Sequence, residues 1–514
     1  LRYLIPWRPV DEVMAYLKEQ ASSASALAVM GDDGEKFGMW PKTYKHCWQD
    51  GWMEAFFQAI EANKDWLTPI PVGEYSRNHK PLGLVYLPDA SYPEMMEWAL
   101  PTERQLRFQE VKERTALGEE ADIYLRGGFF RNFLQKYPEA NLMHKKMLRV
   151  HNKVYYALSI GGKDGRQELW QGQCNCPYWH GVFGGLYLND IRSTNYRHLL
   201  AAEKIAQESI STQSDKWLDV VEEDFDGDGE QEILLEGSSH SLYLAPARGG
   251  CLFEWDLYEK GHNLLSTLAR HREVYHLQLL KQGQQEVSGV HTIHHGLKMK
   301  EGEGELPTAI PWDAHPRFSL RDHLLPLETT FKAFSSGKYE ELAGLATAPY
   351  QAETKHEKEA TTVRLWHQGG GLEVKKRLLL QLGEEGLEIN YKLVNQGQER
   401  LHARFGSEWN LNLLAGGGNK DAFYEAKGTK GLHPGSPAEL PPTDRLLMGN
   451  RWLRLRMSLE LSPQAHLWLY PVETLSLSED GVERVYQGSC IFPWWEIDLA
   501  PGQSLSFSLQ WQVE

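Results

Sequence analysis

From about residue 216 to the C-terminus the chain alternates apolar and polar positions with a period of two. Leu387, Ile389, Tyr391 and Leu393 are separated by Glu388, Asn390 and Lys392. Leu453, Leu455, Met457, Leu459 and Leu461 alternate with Arg454, Arg456, Ser458 and Glu460. Leu505, Phe507, Leu509, Trp511 and Val513 alternate with serines and glutamines. Side chains of a strand point to opposite faces in turn, so this pattern puts one face on a core and the other in water. Roughly 300 residues of it predict a large antiparallel β-sandwich. Gly383 to Gly386 reads as a hairpin loop between two such strands, and the charged stretch Glu353 to Glu359 as an exposed loop or edge.

Upstream the period lengthens. Met143, Met147, Val150, Val154 and Leu158 step by four, three, four and four, which is one face of a long helix. Pro138 separates it from a helical segment at Phe129 to Lys136. Tyr196 to Glu208 carries a second stripe through Leu199, Ala202 and Ile205. In the first hundred residues short apolar runs alternate with helical patterns. Tyr3 to Pro6, Ala26 to Met30 and Leu82 to Leu87 read as strands. Pro9 opens a helix with Val13, Met14 and Leu17 on its apolar face, and Trp48 to Ala62 reads as another. Such βα rhythm belongs to a barrel or a doubly wound sheet, where loops after strand ends carry the chemistry.

At 514 residues the chain exceeds one compact core. The pattern changes divide the chain into three regions: 1–100, whose βα rhythm fits the later part of an α/β barrel or a doubly wound sheet; 101–215, a helical segment; and 216–514, the sandwich. The fold class is thus multidomain, α/β plus all-β. A net charge of −16 argues against a nucleic-acid partner, and no apolar run is long enough to predict a membrane span. The five scattered cysteines do not form a disulfide framework, which favours a reducing, cytoplasmic setting. Cys174 and Cys176 lack the spacing of a zinc site. The 18 Trp and 22 Tyr supply faces on which sugars stack, and equally faces for packing.

The candidate chemistry centres on GDDGEKFGMWP, Gly31 to Pro41, directly after the Ala26 to Met30 run. Asp33-Gly34 alone is a common turn dipeptide. Here two adjacent carboxylates, Asp32 and Asp33, stand near Lys36 and Trp40, and a carboxyl beside another carboxylate and an indole can have the raised pKa of a general acid.

This loop resembles the acid/base region of glycoside hydrolase family 57, in the branch of 4-α-glucanotransferases and related α-amylases. So do Tyr86 to Tyr92 with Glu97-Trp98, Gly127 to Leu148, Cys174 to Leu188, and the segment Phe405 to Leu413 of the sandwich. The resemblance implies an enzyme on α-1,4-glucan or maltooligosaccharide, with no cofactor in catalysis and a sandwich of the galactose-mutarotase type. It implies that Asp33 is the acid/base and Asp32 a neighbour that binds sugar or holds geometry. It offers Trp40, Trp98 and Trp179 as sugar platforms and His180 as a sugar ligand; each could instead be a packing residue. Gly31 stands where family members often carry His, and Cys176 where some carry Asp. Retention requires a second carboxyl as nucleophile about 5–5.5 Å from the acid/base. In the family that is a Glu on an earlier barrel strand. The glutamates before Asp33 are Glu12 and Glu19, both on the predicted first helix, so the nucleophile is expected upstream of this chain, and the resemblance implies that residues 1–100 are the C-terminal part of an incomplete (β/α)-barrel. A non-catalytic α-glucan-binding protein is the alternative. A sandwich-based sugar epimerase or lyase would need a catalytic His or Glu in the sandwich cleft.

Two further motifs stand out. In DFDGDGEQE, Asp224, Asp226 and Asp228 step by two, Gly229 permits a turn and Glu232 follows. Such a loop can wrap oxygen ligands round a structural Ca²⁺; it is not an EF-hand, since Leu235 stands where the bidentate Glu would be. His291, His294 and His295 are read as packing or surface residues rather than a metal site.

Overall fold

The computed structural model describes residues 1, 4–21, 26–40, 42–87, 91, 93–118, 121–179, 184–211, 216–282, 299–300, 309–478 and 481–514. The chain divides into two compact units, Leu1–Asp89 and Ala90–Glu514.

In the first unit the described helices are α1 (Val10–Gln20), α2 (Trp52–Ala62) and α3 (Val72–Asn78). Val13 and Leu17 of α1 bury with Ile5 and Trp52 in a small core. Asp11 and Glu12 sit in the first turn of α1 and Lys18 in its last, as the helix dipole favours. The indole of Trp52 donates to the Arg8 carbonyl at 2.8 Å, tying α2 to the turn ahead of α1. The three expected strands do not form among the described residues. Leu4 to Pro6 make a turn, and Tyr3 lies outside the described residues. Ala26 to Met30 and Leu82 to Leu87 have no strand pairing and face solvent, with Val29 66% and Leu84 104% exposed. The physical reason is pairing. A parallel strand exists only through hydrogen bonds to neighbouring strands, and no described residue of this unit offers one.

The second unit begins with α4 (Pro93–Trp98), α5 (Thr102–Arg114), α6 (Ala121–Tyr124), α7 (Phe130–Lys136), α8 (Pro138–Ser159), α9 (Arg166–Gln171), α10 (Cys176–Trp179) and α11 (Asn189–Ile210). Pro138 occupies the first turn of α8, where its missing N–H costs nothing. The predicted stripes pack as expected: Val150, Val154 and Ala157 of α8 close on Leu199, Ala202 and Ala206 of α11. Full burial of each such valine or leucine contributes about 1.5–3 kcal/mol.

Sixteen described strands follow. β1 (Leu218–Glu223), β2 (Glu232–Gly237), β3 (His240–Ala245), β4 (Cys251–Leu257) and β5 (His262–Asn263) form an antiparallel sheet in sequential order. After α12 (Val274–Gln282) come β6 (Arg321–Leu325), the short α13 (Phe331–Ser335), β7 (Gln351–His356), β8 (Ala360–Gly369), β9 (Leu372–Gln381), β10 (Leu387–Asn395), β11 (Leu401–Leu411), β12 (Ala422–Ala426), β13 (Ala438–Asn450), β14 (Leu455–Ser478), β15 (Gly481–Leu499) and β16 (Ser504–Val513). They build a second sheet in the order β6-β11-β15-β14-β16-β10-β9-β8-β7, with β13 pairing β14 and β12. The main core joins the two sheets: Leu235, Leu242 and Trp255 of the small one meet Leu378, Ile389 and Trp511 of the large one. The far face of the small sheet packs Leu234, Tyr243 and Phe253 against Leu142 of α8. Covered on both faces, β2, β3 and β4 are buried at every residue. In β11, Gly406 lies so close to Phe492 that a Cβ there would meet the ring at 2.2 Å. No described helix is long and apolar enough to cross a membrane.

Candidate functional site

Asp33 is exposed and stands in extended conformation (φ −72°, ψ 131°) at the head of a short 3-10 turn, Gly34–Phe37. The turn brings Lys36 back over Asp32. The Lys36 ammonium donates to Asp32 Oδ2, and both side chains are buried, 2% and 3% exposed. The other oxygen, Asp32 Oδ1, accepts the backbone N–H of Asp33 at 3.0 Å. Asp32 therefore fixes the backbone that carries Asp33, and Lys36 neutralises Asp32. The expected neighbouring carboxylate is thus a compensated one, and the two acids have separate tasks: one is locked inward, the other is presented outward.

The rest of the loop is braced by aromatic rings. The Glu35 carbonyl accepts backbone N–H groups of Gly38, Met39 and Trp40 at 3.2, 2.8 and 3.1 Å. The Trp48 indole donates to the Phe37 carbonyl at 2.6 Å. Trp40 stacks on Trp7, with centroids 6.3 Å apart and planes at 16°. The half-buried Trp40 thus has one face on a ring of its own unit.

In the second unit, Trp98 at the end of α4 and Trp179 at the end of α10 stack at 6.5 Å and 20°. These two predicted platforms, far apart in sequence, form one aromatic pair. Both are half-buried, and Trp179 packs on a cluster of Met95, Ala99, Phe133, Tyr137, Leu186 and Tyr187. Beneath them Glu273 accepts the hydroxyls of Tyr137 and Tyr187 at 2.5 and 2.7 Å and pairs with Lys136 at 3.3 Å. Burial works against its charge, but Lys136 and the two hydroxyls outweigh it and hold the carboxyl below the usual range. His180, predicted as a sugar ligand, lies outside the described residues, as do His291, His294 and His295.

The acidic loop before β2 brings Asp224, Asp226 and Glu232 together, each offering one oxygen within 4.8 Å of the others. Asp228 does not join this set; it turns to the Arg248 guanidinium, which also pairs with Asp226. Arg248 thus offsets the charges of Asp226 and Asp228. Asp224 accepts backbone N–H groups of Gly227, Asp228 and Gly229 at 2.8, 3.0 and 3.1 Å. Asp226 Oδ1 is buried without a hydrogen-bond partner among the described residues. Burial and the neighbouring Asp226 push the Glu232 carboxyl up to about 7.

The sandwich also contains a His–Glu–Arg set invisible to the periodicity. His323 bonds Glu341 and, at 2.8 Å, Glu408; Glu408 pairs with Arg317 at 2.8 Å. His323 and Glu408 are 0% and 1% exposed, and their polar atoms are taken up by one another, Glu341, Arg317 and Asn410. Such a set cannot meet a sugar, so it does not supply the open catalytic pair that an epimerase or lyase needs.

A family model described as Glycosyl hydrolase family 57 matches residues 1–88, which include Asp32 and Asp33. The middle-domain and C-terminal models of α-amylase/4-α-glucanotransferase match 128–206 and 224–509. Over 528 aligned residues the chain is 35% identical to α-amylase 1 of Dictyoglomus thermophilum, covering 100% of this chain and 74% of that one. It is 34% identical to the 4-α-glucanotransferase of Thermococcus litoralis, covering 96% and 71%. The crystal structure of the 4-α-glucanotransferase from Thermococcus litoralis superposes with a TM-score of 0.73 at 30% identity, over 99% of this chain and 71% of that one. The chain belongs to glycosyl hydrolase family 57, in its α-amylase/4-α-glucanotransferase group.

Proposed function

We propose that this protein transfers or hydrolyses α-1,4-linked glucosyl units with retention, and that Asp33 is its acid/base. One observation carries the assignment of the residue: in the loop matched by the family 57 model, Asp32 is consumed by Lys36 and the chain, while Asp33 is held outward. In this reaction a carboxylate attacks the anomeric carbon while Asp33 protonates the departing glycosidic oxygen. The same Asp33 then takes a proton from water, giving hydrolysis, or from a sugar hydroxyl, giving transfer. Transfer prevails where the acceptor is positioned better than water. Glu12 and Glu19 ride exposed on α1, and no strand is formed among the described residues of their unit. Within the second unit the Trp98–Trp179 pair offers a stacking face for sugar. The match over residues 1–88 supports reading the first unit as part of the catalytic (β/α) domain, its apolar runs becoming strands alongside neighbouring strands.

The test is product analysis with the full-length polypeptide and maltoheptaose. Chains both longer and shorter than the substrate indicate transfer, and shorter chains alone hydrolysis. First-formed products with the α-configuration, read by NMR, support retention; β-products, or no conversion, overturn the reading.

We further propose that Asp224, Asp226 and Glu232 hold a structural Ca²⁺, supported by the unpartnered buried Asp226 Oδ1 and by the unfavourable charge on Glu232. A cation at 100 times its Kd would add about 2.7 kcal/mol. Chelation with EGTA should lower Tm and added Ca²⁺ restore it. An unchanged Tm in both directions removes the proposal.

A further inference from the structure

The outer face of the large sheet carries four cations, Arg364, Lys375, Arg377 and Lys392, in two adjacent rows. Strand register places Trp366 of β8, Lys375 of β9, Lys392 of β10 and Ser506 of β16 side by side in one row. The next row is Arg364, Arg377, Asn390 and Ser508. Arg364 thus stands directly opposite Arg377, and Lys375 opposite Lys392. Like charges facing each other across strands destabilise a sheet. Arg364 and Lys375 are offset by Glu353 and Glu373, at 3.0 and 2.9 Å. Arg377 and Lys392 are exposed and have no ion pair among the described residues.

These rows line a groove of about 690 Å³, within the size range of small-ligand sites. The short side chains of Ser506 and Ser508 leave room on one side, and the long cations wall the other. Four strands at about 4.8 Å spacing give the groove a length of about 14 Å. A single small anion would fill only a corner of it. The residues that remain suit an extended polyol: Trp366 offers an aromatic face, Ser506 and Ser508 offer donors and acceptors for hydroxyls, and Asn390, whose amide nitrogen donates to Glu388 at 2.6 Å, offers its carbonyl oxygen.

We propose that this groove binds a saccharide bearing a phosphate monoester. The phosphate sits between Arg377 and Lys392, diagonal neighbours across β9 and β10, and the sugar lies along Trp366, Asn390 and the two serines. Arg and Lys together give the charge-assisted hydrogen bonds that a phosphate dianion takes. The choice of saccharide rests on the glucan reading above; the choice of anion rests on the strand register alone.

The test is calorimetric titration of the full-length polypeptide carrying Asp33→Asn, so that turnover is slowed by about 10²–10⁴-fold, as expected for its loss as acid/base. The probes are a phosphorylated maltooligosaccharide, the same oligosaccharide without phosphate, and inorganic phosphate. Arg377→Ala with Lys392→Ala should weaken the phosphorylated ligand by at least about tenfold and leave the neutral one unchanged. Its Tm should stay the same or rise, since like charges have been removed. Added salt should weaken the phosphorylated ligand in the parent. Unchanged affinity for the phosphorylated ligand, or an equal loss for the neutral one, overturns the anion site. Inorganic phosphate binding as tightly as the phosphorylated saccharide overturns the saccharide part. Because these readings come from binding differences at the groove, they stand or fall separately from whether the polypeptide converts maltoheptaose.

Discussion

Asp33→Asn is expected to lower turnover of maltooligosaccharides by about 10²–10⁴-fold, the range for loss of a positioned acid/base. The amide keeps the size and the exposed position of the carboxyl but can neither give nor take the proton. Asp32 and Lys36 should still close the loop, because their bonds use the Asp33 backbone N–H and not its side chain. Tm should therefore move little, and oligosaccharide binding should persist. Lys36→Met has the opposite signature. It strands the buried Asp32 carboxylate, so loop order and activity should fall together.

The largest expected effect on stability is at Lys146. Its ammonium lies 2.8 Å from Glu203, 2.7 Å from Asp256 and 4.0 Å from Glu254, and all four side chains are 0–1% exposed. Burial opposes its charge, but Asp256 and Glu203 outweigh that and raise its pKa well above the usual value. The group ties α8 and α11 to the small sheet. Lys146→Met leaves buried carboxylates without their cation and should cost about 3–5 kcal/mol, a large share of a typical folding free energy of about 5–15 kcal/mol. The sign with pH follows from the carboxyls. Burial, with Asp256 nearby, raises Glu254 well above its unfolded value, and burial also raises Asp256. The Lys146 ammonium lowers Glu203, Asp256 and Glu254, so its removal raises all three in the variant. Carboxyls raised in this way give most stability below their unfolded pKa and lose it as pH rises through the folded one. The deficit of Lys146→Met should therefore shrink as pH falls from 7 towards 5. Urea unfolding measures this, and a deficit below about 1 kcal/mol at pH 7 would show that the cluster does not depend on its lysine.

What could be read from the sequence was whatever kept one wet face. β9, β10 and β16 alternate because one side of the large sheet meets water, and α8 and α11 keep a single apolar stripe. β2 to β4 lose the alternation because helices cover one side and the large sheet the other. In Leu1–Asp89 the apolar runs were legible as apolar, but strand formation depends on partners that a local pattern cannot report. The site divides in the same way. The Asp32–Lys36 pair is four residues apart and within reach of local reasoning. Arg248 lies twenty residues from Asp228 in sequence and came to the acidic loop only through the fold. Lys376 is a sharper case. Beside Lys375 in the sequence, it faces inward, donating to carbonyls of Gly249, Gly250 and Leu320 and pairing with Asp322 at 3.0 Å. Residue type alone would place both lysines in water; only the period of two puts Lys376 on the buried face of Val374 and Leu378.

The role of Asp33 is tested most directly by changing the leaving group. Fluoride departs without a proton, whereas a glycosidic oxygen needs one. The measurement is the first-turnover release of fluoride from α-maltosyl fluoride by the full-length polypeptide, wild type against Asp33→Asn, beside the same comparison on maltoheptaose. An acid/base Asp33 predicts nearly normal fluoride release in the variant alongside the 10²–10⁴-fold loss on maltoheptaose. An equal loss on both substrates, or none on either, would contradict it.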